Sequence, residues 1–196
     1  MASYRDGHPY TSDTHGADDG QVDGHIDRLS YIVRNAFDAQ VRYRAVSALE
    51  SIVVIPEAME QLGHLANNAR TSRGYRDAYA PDVETCNRVV DSLTRLANNG
   101  NPEAIEKLKL IPGSQTIPHL EASHVQTSLR AVDALNSVVK NRSLATAALG
   151  RVATVCFQQS VALRAIEFLR IRAVSNDLDA IEALGQVIGS GRLFSP

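Results

Sequence analysis

Apolar residues recur at helical spacing along most of the chain, beginning at Ile26. Spacings of three and four place such residues on one face of an amphipathic helix, and the pattern renews to predict one leading helix and four helix pairs. The first two faces comprise Ile26, Leu29, Ile32, Val33, Ala36 and Phe37, then Val41, Ala45, Ala48, Leu49 and Ile52. The later faces include Val138 and Val139 of the sixth helix, Leu144 of the seventh, Ile171 of the eighth and Ile188 of the ninth.

A short phrase returns four times within this pattern. An Arg is followed by two apolar residues, a polar one, a small or apolar one and a Leu, at residues 44–49, 88–93, 130–135 and 164–169. A second phrase follows in three of the four units, at residues 56–62, 102–108 and 178–184. Self-similarity at this period is typical of stacked helical hairpins, so the sequence predicts an all-α protein with the architecture of an α-solenoid.

The spacing of the motif arginines locates two longer connections. Successive arginines are 44, 42 and 34 residues apart, so the first two intervals hold additional chain. The extra residues fall at 70–81 and 112–123, and both segments join one hairpin to the next. All such joints lie on the same edge of a stack, which predicts two neighbouring rim loops. Loops of this kind either carry function or are tolerated insertions, and the sequence leaves both possibilities open.

Composition narrows the class of protein. The 196 residues are 44% hydrophobic with a net charge of −2, whereas generic nucleic-acid binders and membrane-surface proteins usually carry a basic excess. Cys86 and Cys156 lie on apolar stripes, which favours core packing. The N-terminal residues do not resemble a secretory signal, so we expect a cytoplasmic protein. Residues 1–24 are expected to form a weakly ordered tail, 25–190 the repeat domain and 191–196 a C-terminal tail.

Residues 35–49 resemble a HEAT repeat, in which a short acidic turn leads into a Val-Arg helix with small residues and a Leu. The join at residues 100–105 is similar to that of armadillo repeats, a related family, whereas residues 142–147 depart from the second phrase. The resemblance implies about four HEAT-like hairpins behind one leading helix. It also implies a scaffold or adaptor that holds another protein or a peptide along a concave face.

The motif arginines Arg44, Arg88, Arg130 and Arg164 are the first candidate binding residues. In stacked hairpins they would form a ladder whose guanidinium groups could hold carboxylates or phosphates. They could instead pair with acidic residues of their own or a neighbouring unit, which we favour. The acids considered for this role are Glu57, Glu103, Asp133 and Asp179.

The segment at residues 70–79 is the most basic part of the chain and includes two tyrosines. Basic and aromatic side chains together suit single-stranded nucleic acid or an acidic peptide. A solvated surface loop is the simpler interpretation. The candidate binding residues here are Arg70, Arg73, Tyr75, Arg76 and Tyr79.

No catalytic, metal-binding or cofactor-binding motif can be placed on the sequence. The deoxyhypusine hydroxylases of the HEAT family are recognised by His-Glu dipeptides, and none occurs here. We therefore expect a non-enzymatic protein–protein interaction module without a cofactor, whose partner binds the concave face or the rim loops 70–81 and 112–123. The alternative is a nucleic-acid-binding or DNA-repair HEAT-like protein that uses the arginine row and the basic loop 70–79. The oligomeric state stays open.

Overall fold

A computed structural model describes residues 19–68, 83–113 and 122–191. Within these ranges the chain forms nine α-helices and no strand, which confirms the all-α class. The helices are α1 (Asp19–Asn35), α2 (Ala39–Ser51), α3 (Pro56–Asn68), α4 (Val83–Asn98), α5 (Pro102–Gly113), α6 (Ala122–Ser137), α7 (Arg142–Val155), α8 (Gln159–Val174) and α9 (Leu178–Gly189). α1 begins at Asp19, so it extends into the segment assigned to the N-terminal tail.

Each helix packs against the next helix in the chain and against the next but one. These contacts order the helices into two rows. The odd row contains α1, α3, α5, α7 and α9, and the even row contains α2, α4, α6 and α8. The motif arginines belong to the even row, because each lies in the first helix of its unit.

Within the described ranges short turns join the rows, and polar side chains in three of these turns cap the helix that follows. Asp38 accepts a hydrogen bond from the Gln40 backbone N–H at 2.7 Å, and Asp177 caps α9 in the same way. Asn101 accepts from the backbone N–H groups of Glu103 and Ala104 at the start of α5. These caps satisfy N–H groups that have no partner within the helix, which fixes where each helix begins.

The leucines that close the repeated phrase all lie in the core. Leu49, Leu93, Leu135 and Leu169 are each 0% exposed and belong to one continuous cluster of buried side chains. Cys86 and Cys156 are also buried, as their apolar surroundings in the sequence predict. The core therefore runs between the two rows from α1 to α9.

Several residues assigned to apolar faces are exposed instead. Phe37 and Val139 lie in the turns after α1 and α6, where the helical period no longer applies. Val41, Leu144, Ile171 and Ile188 are within helices but point to solvent. No helix in the described ranges has the length and apolarity needed to cross a membrane.

Candidate binding surface

The outer face of the even row carries the motif arginines, and two of them hold an acidic residue of the preceding unit. Arg130 of α6 contacts both carboxylate oxygens of Asp91 of α4, with N–O distances of 2.8 to 3.0 Å. Arg164 of α8 donates from Nε to Asp133 of α6 at 3.0 Å. In both pairs the acid lies three residues after the motif arginine of the earlier unit, so the same contact repeats along the row.

Arg88 has no such acid, because α2 carries Ser47 where later units carry an acid, and Arg44 lies in the first unit of the row. Arg88 of α4 instead places its guanidinium over the ring of Tyr43, 5.0 Å from the ring centroid. A cation over an aromatic face is attracted by the ring quadrupole, so this contact also joins neighbouring units. Arg44 is exposed at the start of the row.

A further ion pair links α4 to α2. Arg95 donates to both carboxylate oxygens of Glu50, at 2.8 and 2.6 Å, and Ser92 donates to the same carboxylate at 3.0 Å. Burial by itself would raise the pKa of Glu50, but the hydrogen bonds from Arg95 and Ser92 and the charge of Arg95 outweigh it and lower the pKa. Glu50 is therefore ionised and paired at neutral pH.

Of the acids considered from the sequence as partners for the arginine row, Asp133 is found in that role. Glu103 lies instead near Lys107 of its own helix, with an N–O distance of 3.8 Å. Asp91 was missed, although its position in the repeated phrase matches that of Asp133. That shared position is the signal in the sequence that could have identified it.

The odd row has its own contacts between units. Lys107 of α5 is largely buried and binds Glu60 of α3, which lowers the pKa of Glu60. The aliphatic part of Lys107 passes over Gly63, where an added Cβ would lie 2.8 Å from the Lys107 Cδ. The glycine thus allows α5 to pack closely against α3.

A shallow groove of about 220 Å³ lies between α7 and α9. Small-molecule sites usually enclose about 300 to 1,000 Å³, so this groove suits surface contact better than enclosure of a substrate. It is lined by Ser143, Ala147, Asp179, Glu182, Ala183 and Gln186.

The outer face of the even row becomes apolar at α8. Leu163, Ile171 and Val174 are exposed there and lie on one side of the helix, among the charged residues Glu167 and Arg170. These three side chains are called the α8 patch below. Exposed apolar groups surrounded by polar residues are typical of protein–protein contact sites.

The other candidate residues from the sequence lie elsewhere. Arg70, Arg73, Tyr75, Arg76 and Tyr79 fall outside the described residues, as does the whole rim loop 70–81. The rim loop 112–123 is described only at its ends, in α5 and α6. In the part of the chain that is described, no group of three or more His, Cys, Asp or Glu side chains is arranged to hold a metal ion.

Comparison with known proteins does not identify a family for this chain. The chain matches no family model, and no curated protein or solved structure is significantly similar to it.

Proposed function

We propose that this protein is a non-enzymatic protein–protein interaction module, built as an α-solenoid of about four HEAT-like hairpins behind one leading helix. The solenoid interpretation is supported by the contacts of each helix with the next but one and by the burial of all four motif leucines. The likeness to HEAT repeats rests on the sequence phrases at residues 35–49 and on the four copies of the arginine motif.

The observation that carries the proposed function is the α8 patch. Leu163, Ile171 and Val174 place apolar surface on the same outer face as the arginine row, next to charged side chains. A partner protein would bury these apolar side chains and would also meet the charges of Glu167 and Arg170, which lie between Leu163 and Ile171 along the helix. We therefore propose the even-row face around α8 as the partner site, and this site does not depend on the rim loops.

The alternative, a nucleic-acid-binding protein, would need guanidinium groups available to phosphates. Arg130 and Arg164 are held by Asp91 and Asp133, and Arg95 is held by Glu50. A phosphate would have to displace these carboxylates or bind beside them against their negative charge. The pairing thus favours a structural role for the row over a phosphate-binding role.

Affinity capture with Leu163→Asp tests the proposed partner site. We expect the unmodified protein to enrich at least one protein from an extract of its source cells, and Leu163→Asp to reduce that enrichment by about tenfold or more because a charge replaces an apolar side chain of the interface. Val54→Asp is the matched control, since Val54 is an exposed apolar residue in the turn after α2. Equal recovery with Leu163→Asp and with the unmodified protein would contradict the proposed site.

The nucleic-acid-binding alternative is tested with the same protein preparation. Labelled single-stranded and duplex oligonucleotides are titrated by fluorescence anisotropy at about 150 mM salt, where non-specific binders have dissociation constants of roughly 1 to 100 µM. We expect no saturable binding in this range. Binding that is abolished by Arg44→Glu together with Arg88→Glu would instead establish the nucleic-acid function.

A further inference from the structure

The last helix exposes positions that are buried in the equivalent helices of earlier units. The second phrase aligns α9 with α3 and α5, so Ile181 corresponds to Met59 and Ile105. Met59 and Ile105 are 0% exposed, whereas Ile181 is 49% exposed. Each of the earlier helices has a later odd-row helix packed against it, and among the described residues α9 has none.

Positions one and two turns further along α9 are also more exposed than their counterparts in earlier units. Ile188 is 56% exposed, whereas its counterpart in α3, Ala66, is 1% exposed, and Pro112 of α5 is buried. Gly185 corresponds to Gly63, which is covered by Lys107 of α5, but there is open space within 4 Å of where a Cβ on Gly185 would lie. The outward side of α9 thus carries apolar and small residues like those that are buried between neighbouring helices in earlier units, but here they are exposed.

The exposed residues of α9 form a regular seam. Leu178, Ile181, Gly185 and Ile188 follow one another at intervals of three, four and three residues, and Leu178 is 77% exposed. This alternation of three and four is the spacing by which one helix packs its side chains against a second helix. Gly185 leaves a gap in the middle of the seam, into which a side chain of an opposing helix fits.

The first and the last of the described helices expose different kinds of side chain. At the other end α1 exposes Asp23, Asp27, Arg28 and Tyr31, and no aliphatic side chain is exposed among residues 23–35. Docking α1 of one molecule on the α9 seam of another would bury these charged groups against apolar side chains, which is costly. Head-to-tail stacking is therefore disfavoured, and of the end-to-end contacts between two copies this leaves the one between identical α9 seams.

We propose that two copies of this chain associate through their α9 seams, with the two α9 helices antiparallel about a twofold axis. In this register Ile181 of each copy occupies the gap over the other copy's Gly185, and Leu178 meets the other copy's Ile188. The charges of α9 fit this direction, because Asp179 and Glu182 lie in its first half and its second half contains no acidic residue. Antiparallel pairing separates the acidic ends, whereas parallel pairing would place them together.

Sedimentation velocity on the full chain tests this inference. A seam of this size predicts a weak dimer, so we expect the sedimentation coefficient to rise from the monomer to the dimer value between about 1 and 200 µM protein. Ile181→Glu removes the central side chain and Gly185→Leu fills the gap that receives it. Each is expected to weaken association about tenfold or more.

Gly185→Leu separates loss of association from loss of folding. Leu favours helix more strongly than Gly, and the position is open, so this variant should fold at least as well as the unmodified protein. Val139→Glu changes another exposed apolar residue outside the seam and should leave association unchanged. A protein that stays monomeric at about 200 µM, or a dimer that tolerates both Ile181→Glu and Gly185→Leu, would overturn the inference.

A charge swap tests the antiparallel direction. Leu178→Lys and Ile188→Glu should each weaken the dimer, and the double variant should recover part of the loss because each lysine then faces a glutamate. Parallel helices would bring like charges together, so a double variant weaker than both single variants would overturn the proposed direction. The test of the dimer is independent of the test of the partner site. Leu163→Asp changes a different face of the molecule and should leave the dimer intact.

Discussion

Replacing Arg172 with alanine is expected to lower the free energy of unfolding by about 3 to 5 kcal/mol, because the substitution removes a buried, fully hydrogen-bonded charge. Arg172 of α8 is 6% exposed, and it donates to the Thr146 hydroxyl of α7 at 2.5 Å. It also donates to the carbonyls of Asn136 and Leu135 at 2.8 and 3.4 Å. Both carbonyls lie in the last turn of α6, where the donors of the regular helix run out, although Leu135 also accepts from the Val138 N–H at 3.4 Å.

Burial, with the nearby charge of Arg142 as a secondary cause, lowers the pKa of Arg172 below its ordinary value. The side chain therefore lies in a site where an unpaired polar group is expensive, and its removal takes away the donor to the Asn136 carbonyl of α6. Arg172→Met retains most of the volume but not the donors, so we expect a smaller loss of about 2 kcal/mol. The loss for Arg172→Met therefore reports the hydrogen bonds, and the additional loss for Arg172→Ala reports the packing of the side chain.

Urea unfolding followed by circular dichroism measures both changes. Arg170→Ala is the matched control, because Arg170 lies two residues earlier on the same helix and is exposed. Its expected effect is within about 0.5 kcal/mol. A loss below about 1 kcal/mol for Arg172→Ala would show that Arg172 does not join α6, α7 and α8 in the way described.

Leu135→Ala is expected to cost about 2 to 5 kcal/mol, the range for truncating a fully buried leucine in a core that cannot collapse around the cavity. Leu135 is 0% exposed in α6, which packs against α4, α5, α7 and α8. The cavity would therefore open in the core, on the helix against which these four helices pack.

The same unfolding measurement applies, with Leu110→Ala as its control. Leu110 is half exposed on α5, so its truncation should cost less than about 1 kcal/mol. If Leu135→Ala were equally mild, Leu135 would not belong to the core between the two rows. Similar losses for Leu49→Ala and Leu93→Ala would extend the result to the other units.

The helical architecture is predictable from the sequence because local signals agree. The repeated phrase fixes the helical period, and Asp38, Asn101 and Asp177 each stand where a helix N-cap is observed. The motif leucines repeat at a position that faces the core in every unit, so their burial also follows from the pattern.

The exposure of individual apolar residues is less predictable. Phe37 and Val139 continue the apolar spacing of α1 and α6, but both helices end just before them. A helical period assigns a direction only while the helix lasts. Ile181 and Ile188 are exposed for a different reason, because no later helix among the described residues packs against α9.

The partners of charged side chains depend on distances between helices, which the sequence does not give. Asp91 and Asp133 occupy the same position of the repeated phrase, yet that position becomes informative only when α4, α6 and α8 are known to lie side by side. Arg172 was missed because it stands where the preceding unit has Val138. A charged residue at an otherwise apolar position of a repeat is the signal that could have identified it.

The pairing of each motif arginine with the preceding unit is tested most directly by a double-mutant cycle on Asp91 and Arg130, measured as free energies of unfolding. The bidentate contact predicts a coupling of about 0.5 to 1 kcal/mol between Asp91→Ala and Arg130→Ala. A control cycle on Asp91 and Arg164, which contacts Asp133 instead, should give a coupling near zero. Equal coupling in the two cycles would contradict the arrangement of helices and arginines described above.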